Sequence, residues 1–89
     1  MARKEKVSRV IDGDTFATKD RKNPVRLANV DTPEKGQAGY NSARNALQRM
    51  IGGKEVSIDT KARDHYGRSV ANVKVGNQSV NRAMKRHEK

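Results

Sequence analysis

The fold is decided by residues 7–30, which read VSRVIDGDTFATKDRKNPVRLANV. Three short apolar segments occur in this stretch, at residues 7–11, 15–18 and 25–30. They are separated by turn signals, the first of which is Asp12-Gly13, and apolar runs of this length between turns predict β-strands. In the third segment Val25 and Leu27 alternate with polar or small residues, as in a strand that buries one face. The stretch therefore predicts three consecutive strands.

The second half of the chain predicts a helix, two more strands and a final short helix. Apolar residues recur at helical spacing, at Ala43, Ala46, Leu47 and Met50. This stripe is typical of an amphipathic helix, and Gly52-Gly53 follows it where a helix commonly ends. Alternating apolar residues predict strands around Val56 and at residues 71–75, with a turn at Gly76-Asn77. Residues 80–84 indicate the last helix.

The predicted order, β-β-β-α-β-β-α, is that of a mainly β chain with helices, in the α+β class. It fits a five-stranded OB-fold barrel with a helix between strands 3 and 4 and a short C-terminal helix. A chain of 89 residues can barely build one core, so residues 7–89 are predicted as a single domain. Residues 1–6 are predicted as a charged tail. The predicted core residues are Val10, Phe16, Leu27, Leu47, Met50, Val56, Ile58 and Val73.

The charge of the chain favours a polyanionic partner over charge carried for solubility alone. Twenty Lys and Arg against ten Asp and Glu give a net charge of +10. Such a surface binds phosphate polymers by displacing their condensed counterions. The acids are concentrated near Asp12, Asp14, Asp31, Glu34, Asp59 and Asp64. No apolar run of about 18 residues is present, which excludes a membrane span, and the absence of cysteine excludes thiol chemistry.

Two aspartates are candidate ligands of a divalent cation. Asp14 follows the first hairpin turn, and Asp31 lies at the predicted end of the third strand. Carboxylates at neighbouring strand ends form a hard-oxygen pair suited to Ca²⁺ or Mg²⁺, to which Thr32 could add its backbone carbonyl. Taken alone, however, Asp-Gly is a common hairpin turn, and an ordinary turn remains the alternative interpretation.

Arg26, Arg68 and Glu34 complete a candidate phosphodiester site. Each arginine alone is equally well explained as a solvated surface residue. Together with the aspartates they form a coherent set, because guanidinium groups bind phosphoryl oxygens and stabilise the charge that develops during attack on a phosphodiester. Glu34 is placed to accept the proton of an attacking water.

In these residues the chain resembles the staphylococcal nuclease, or thermonuclease, family. The matching stretches are IDGDT at 11–15, VRL at 25–27, VDTPE at 30–34, DHYGR at 64–68 and VNRAM at 80–84. They occur in the family's order over nearly the whole chain. The sequence departs from the family's pattern at His65, where Lys is usual, and in ending after its second helix.

The resemblance implies a calcium-dependent endonuclease, a hydrolase that cleaves DNA or RNA and leaves 3′-phosphate ends. One Ca²⁺ would be bound by Asp14, Asp31 and the Thr32 carbonyl. Arg26, Arg68 and Glu34 would be catalytic. His65 and Tyr66 would contact a neighbouring phosphate of the nucleic acid substrate. We expect a monomer without membrane contact.

Two other functions remain open from the sequence. The first is a non-catalytic, basic OB-fold module that binds nucleic acid, although three aromatic residues offer few platforms for base stacking. The second is a structural domain that docks on an acidic partner. The compartment also stays open, because both a secreted mature chain and a cytoplasmic chain agree with the sequence.

Overall fold

A computed structural model of the chain describes residues 3–88. Its strands are β1 (Arg3–Asp12), β2 (Thr15–Thr18), β3 (Val25–Leu27), β4 (Glu55–Arg63), β5 (Ser69–Val75) and β6 (Gln78–Ser79). Its helices are α1 (Tyr40–Ile51) and α2 (Val80–Met84), and a single 3₁₀ turn, Lys85–His87, follows α2. Neither helix in this part of the chain is long and apolar enough to cross a membrane.

The first five strands close into a barrel, which confirms the predicted OB-fold class. Hydrogen bonding runs in the order β3-β2-β1-β4-β5, and a parallel pairing between β3 and β5 joins the two ends. The helix α1 lies between β3 and β4 in the chain, as predicted. The two-residue strand β6 was not predicted. It pairs with the outer part of β5 and leads directly into α2.

The barrel encloses the apolar residues that the strand and helix patterns predict. Phe16, Leu27 and Leu47 have no exposed surface. Of the predicted core residues, only Met50 is partly exposed, because it lies near the end of α1 and packs against the rim of the core. Tyr40 is half-buried at the start of α1. Both helices therefore serve to cap a core made mainly by strands.

The prediction of an N-terminal tail is wrong for residues 3–6, and Met1 and Ala2 lie outside the described residues. Strand β1 already begins at Arg3 and pairs with β4 through residues 3–6. Glu5 is 2 % exposed, and its carboxylate accepts hydrogen bonds from Thr18 Oγ1 and Arg21 Nε, each at 2.9 Å. This charged stretch can form a strand because its inward-facing acid, Glu5, is paired with Arg21.

The third strand is shorter than predicted, and the fourth is longer. Strand β3 ends at Leu27 because Asn29 adopts a left-handed backbone conformation with φ 60°, which a strand cannot contain. Asp31 therefore lies four residues beyond the strand, in an irregular segment. Strand β4 continues to Arg63, well beyond the strand predicted around Val56, and its residues from Asp59 onward also pair with β5.

Asn81 joins α2 to the barrel through three buried hydrogen bonds. Its Oδ1 accepts from Val73 N at 2.8 Å, and its Nδ2 donates to the carbonyl oxygens of Ala28 and Ala71, both at 3.0 Å. Asn81 is 8 % exposed, so water does not readily replace these bonds. One side chain thus links the helix, β5 and the segment that leaves β3.

Replacing Asn81 with Leu should lower the free energy of unfolding by about 2–3 kcal/mol, because buried backbone groups would lose their partners. Urea denaturation measures this change. The control is Asn72→Leu at an exposed position of β5, where a change within about 0.5 kcal/mol is expected. Equal effects of the two substitutions would contradict the linking role of Asn81.

Candidate active site

A small pocket opens at one mouth of the barrel and contains most of the predicted site residues. Its volume is about 130 Å³. The lining residues are Asp12, Asp14, Arg26, Asp31, Thr32, Pro33, Glu34 and Arg68. They come from the β1–β2 turn, from β3 and the segment after it, and from the residue before β5. The structure therefore brings together all six residues that the sequence assigned to metal binding and catalysis.

The carboxylate of Asp14 is held in place from several directions. Asp14 is 7 % exposed, and its Oδ1 accepts a hydrogen bond from Thr15 Oγ1 at 2.9 Å. Its Oδ2 accepts from the backbone N–H of Thr32 at 3.2 Å. Its backbone oxygen accepts from Leu27 N at 2.8 Å. Asp14 thus ties the first hairpin to β3 and to the segment that carries Asp31.

Gly13 allows the first hairpin to approach that segment closely. A Cβ at this position would lie 2.7 Å from Ala43 Cβ and 2.8 Å from Thr32 Oγ1, too close for either neighbour. The absence of a side chain, rather than an unusual φ angle, is therefore what the site needs here. Thr32 is 1 % exposed, and within the described part of the chain its Oγ1 has no hydrogen-bond partner.

Arg26 lies between two carboxylates. Its Nη2 is 3.4 Å from Asp14 Oδ2 and 3.8 Å from Asp31 Oδ1, while Nη1 donates to the backbone oxygen of Leu27 at 3.0 Å. Because both aspartates lie within 4 Å of one nitrogen, they face the same small volume. The guanidinium offsets part of the repulsion between them.

Arg68 is oriented by the turn between β4 and β5. Asp64 Oδ2 accepts from Arg68 Nε at 2.5 Å, and Asp64 Oδ1 accepts from the backbone N–H groups of Tyr66 and Arg68 at 3.0 and 2.9 Å. Gly67 closes the turn with φ 80°. The side-chain hydrogen bond from Arg68 to Asp64 uses Nε, and Arg68 also lines the pocket.

A second ion pair supports the strand that follows Arg68. Arg21, which bonds to the buried Glu5, also donates from Nη1 to Ser69 Oγ at 2.9 Å. Ser69 is the first residue of β5 and is 3 % exposed. The loop between β2 and β3 thereby fixes the position at which the chain passes from Arg68 into the barrel.

The structure places His65 and Tyr66 outside the pocket. Both are exposed at the tip of the β4–β5 turn, and Tyr66 is 80 % exposed. Its ring does not pack on the barrel. Instead the guanidinium carbon of Arg68 lies 5.3 Å from the ring centroid, within the range of a cation–π contact.

Asp12 lines the pocket, although the sequence had not assigned it a role. The signal was its position two residues before Asp14, on the other side of the turn glycine. Nearby, the hydroxyl of Tyr40 donates to the backbone oxygen of Ile11 at 3.0 Å. Burial raises the pKa of Tyr40, and the negative charge of Asp12 and a hydrogen bond to it raise the pKa further. The phenol therefore stays protonated and bound to β1.

The donor set fits a hard divalent cation that keeps several water or substrate ligands. Within residues 3–88, no three His, Cys, Asp or Glu side chains are grouped closely enough to hold a metal ion by themselves. The two carboxylates of Asp14 and Asp31, by contrast, do face one volume. Two carboxylates and a carbonyl leave most positions of a six- to eight-coordinate ion open.

The fold and the pocket together define a class, an OB-fold protein whose barrel mouth combines carboxylates and arginines. The family model of the staphylococcal nuclease homologue matches residues 24–87, well over half of the chain. The chain therefore belongs to the staphylococcal nuclease family, as the sequence motifs predicted.

Three relatives illustrate this membership. The chain is 42 % identical over 78 residues to Protein ParB of Escherichia coli, covering 85 % of this chain and 44 % of that protein. It is 37 % identical over 82 residues to an uncharacterized endonuclease of Haemophilus influenzae, covering 89 % and 46 %. It is 39 % identical over 66 residues to a micrococcal nuclease of Shigella flexneri, covering 72 % and 38 %. The chain thus spans less than half the length of each.

The carboxyl of Asp64 should titrate below the usual range of an aspartate. Burial acts to raise its pKa, but the hydrogen bonds from Arg68 and Tyr66 and the charge of Arg68 outweigh burial and lower the pKa. Because the folded pKa is lowered, the stabilisation by this carboxylate is complete above about pH 3.9, the ordinary value. It is lost as the pH falls through the lower folded pKa.

Replacing Arg68 with Met should move this pKa upward, though only part of the way, since the backbone N–H groups still donate. A carbon-detected NMR titration of the Asp64 carboxyl measures the change. Arg49→Met, on the exposed side of α1, is the control that should leave the titration unchanged. An unchanged Asp64 titration in the Arg68 variant would contradict the pairing.

Proposed function

We propose that this chain is the catalytic domain of a calcium-dependent endonuclease that hydrolyses phosphodiester bonds of DNA or RNA and leaves 3′-phosphate ends. The observation that carries the proposal is that Arg26 and Arg68 line one pocket with Asp14, Asp31 and Glu34. Relatives named as endonucleases and as a micrococcal nuclease support it. The net charge of +10 supports a nucleic acid substrate.

The two arginines are placed to bind the phosphate at which cleavage occurs. A phosphodiester carries about one negative charge, and attack by water adds negative charge to its oxygens. Fixed cations aimed at those oxygens stabilise the transition state more than the ground state. The hydrogen bond that Arg68 Nε donates to Asp64 Oδ2 orients the guanidinium through its inner nitrogen.

Glu34 is the residue proposed to accept a proton from the attacking water. It lies on the exposed rim of the pocket, and its backbone N–H donates to Gln37 Oε1 at 2.8 Å, which orders the segment that carries it. As the proton passes to Glu34, the water oxygen bonds to phosphorus and the bond from phosphorus to the 5′ oxygen breaks, and the leaving 5′ oxygen takes up a proton from solvent water. The products are a 3′-phosphate and a 5′-hydroxyl.

Asp14, Asp31 and the backbone carbonyl of Thr32 are the proposed ligands of one Ca²⁺. When bound, the ion supplies positive charge beside the phosphate and lowers the pKa of coordinated water. The protein contributes the rigid placement of Asp14, which three hydrogen bonds from Thr15, Thr32 and Arg26 hold in position. His65 and Tyr66, exposed on the neighbouring turn, are proposed to contact the next phosphate of a substrate bound by a monomer.

Replacing Glu34 with Gln should lower the cleavage rate by a factor of about 10² or more, because the proton acceptor is lost while its shape is kept. The assay follows plasmid and single-stranded DNA and RNA with millimolar Ca²⁺ or with chelator, and identifies which end keeps the phosphate. Glu55→Gln, an exposed glutamate at the start of β4, is the matched control and should cleave normally.

Salt-dependent binding without any metal-dependent cleavage would identify the chain as a non-catalytic binding module and overturn the nuclease proposal. Cleavage that Glu34→Gln leaves unchanged would keep the nuclease but remove the role of Glu34.

Calcium should raise the melting temperature of the protein. For a dissociation constant of about 1 mM, ~10 mM Ca²⁺ adds about 1.4 kcal/mol of stability, or several degrees in a domain of this size. Asp31→Asn should abolish the calcium-dependent shift. Asp59→Asn, on β4 and outside the pocket, should keep it. A melting temperature that does not respond to Ca²⁺ in the unmodified protein would overturn the ion site.

A further inference from the structure

A large basic groove lies outside the candidate active site, along α2. Its volume is about 850 Å³, against about 130 Å³ for the pocket. The charged or titratable residues that line it are Lys74, Arg82, Arg86 and His87, and Asn77, Gln78 and Ser79 add polar groups. We call this surface the α2 groove. It is far larger than one phosphate needs.

The charges of the α2 groove are not compensated within the described residues. No aspartate or glutamate among them lines the groove, and Lys74, Arg82 and Arg86 take part in none of their ion pairs. Arg82, in α2, and Arg86, in the 3₁₀ turn, line the same groove, so their like charges repel each other. Folding stability therefore does not explain this row of cations.

The same row leads toward the candidate active site. His87 lines the groove and ends the 3₁₀ turn after α2. The next residue, Glu88, accepts a hydrogen bond at its Oε2 from the backbone N–H of Asp31 at 3.0 Å. Asp31 lines the pocket. Glu88 therefore connects the two surfaces: it follows the last groove residue, His87, in the chain and is hydrogen-bonded to Asp31 at the rim of the pocket.

We propose that the α2 groove binds the sugar–phosphate backbone of the substrate strand at positions flanking the cleaved bond. The proposal rests on the proposed nuclease function, which supplies the nucleic acid. Phosphates spaced along a strand match a row of cations, and their binding relieves the repulsion between Arg82 and Arg86. Met50 and Ala83 in the same lining offer apolar surface to a sugar or base. The groove makes the enzyme prefer polymers over dinucleotides.

The test compares binding of a long and a short ligand with all divalent ions chelated, so that nothing is cleaved. Fluorescence anisotropy is measured with a single strand of about 12 nucleotides, within the ~4–16 that an OB fold covers, and with a dinucleotide. The variant is Arg82→Gln with Arg86→Gln, both exposed residues. The control with equal charge loss is Lys19→Gln with Lys54→Gln, which are exposed and line neither the groove nor the pocket.

We expect the groove variant to lose about tenfold in affinity for the 12-mer and to lower the slope of log K against log salt by about 1.4, as two lost phosphate contacts predict. Dinucleotide binding should stay unchanged, and the control pair should change 12-mer affinity by less than about twofold, since only the screened field of the protein is altered. Lys74→Gln should act in the same direction with about half the change in slope, which guards against misfolding of the double variant.

Equal losses in the groove and control variants would overturn the proposal, because total charge alone would then explain binding. Displacement of the 12-mer by poly-glutamate at equal charge concentration would also overturn it and would identify a surface for acidic proteins. The two proposals fail separately. If the groove variant binds the 12-mer more weakly but the unmodified protein does not cleave it, only the nuclease proposal is overturned. If the groove variant binds and cleaves the 12-mer as well as the unmodified protein does, only the groove proposal is overturned.

Discussion

The parallel pairing of β3 with β5 is the constraint on which the rest of the structure depends. Parallel neighbours need a long crossover, and α1 with β4 provides it here. The pairing sets Arg26 opposite Val70, so that Arg68, just before β5, comes to the same mouth of the barrel as Arg26. Closure also joins β3 to β5, which would otherwise be the two edges of the five-stranded sheet. One backbone register therefore determines both the barrel and the meeting of two distant arginines.

The site combines charges that would be unfavourable if they were separated. Asp14 is nearly buried and is tolerated because it accepts hydrogen bonds from Thr15, Thr32 and Arg26. Asp31 is much more exposed, with 61 % of its side-chain surface open to water. A buried and an exposed carboxylate on either side of one guanidinium would suit the flexible coordination of the proposed Ca²⁺.

Most helices and strands of this fold can be predicted from local sequence pattern. The features that the pattern does not predict depend on contacts between distant residues or on local backbone conformation. Alternation in β2 and β5 and the stripe in α1 identify these elements, because their buried residues are apolar. Strand β1 escaped prediction at residues 3–6, since its inward residue is Glu5, whose burial becomes acceptable only when Arg21 arrives from another loop. The end of β3 depended on the left-handed conformation of Asn29, which no periodicity reveals.

In the candidate site, too, some residues could be predicted from the sequence and others depend on contacts that only the fold creates. Motifs in family order identified the six residues that the structure gathers around one pocket, although their roles remain predictions. Asp12 was missed because an Asp-Gly turn explains it without function, and its place in the pocket depends on how the hairpin lies against Thr32. The exposure of His65 and Tyr66 depends on the β4–β5 turn, whose shape comes from hydrogen bonds to Asp64.

The size of the pocket limits what it can recognise. A volume of about 130 Å³ holds a phosphate group and its nearest ligands, but it leaves no room for a base. Discrimination between bases must therefore come from surfaces outside it, and those described here offer one exposed aromatic ring, Tyr66, and rows of cations. Cations bind phosphates, and because phosphates are the same at every position of a strand, these contacts do not distinguish one base from another. If the chain is the nuclease proposed above, a site built in this way favours cleavage that depends on strand flexibility and charge more than on sequence.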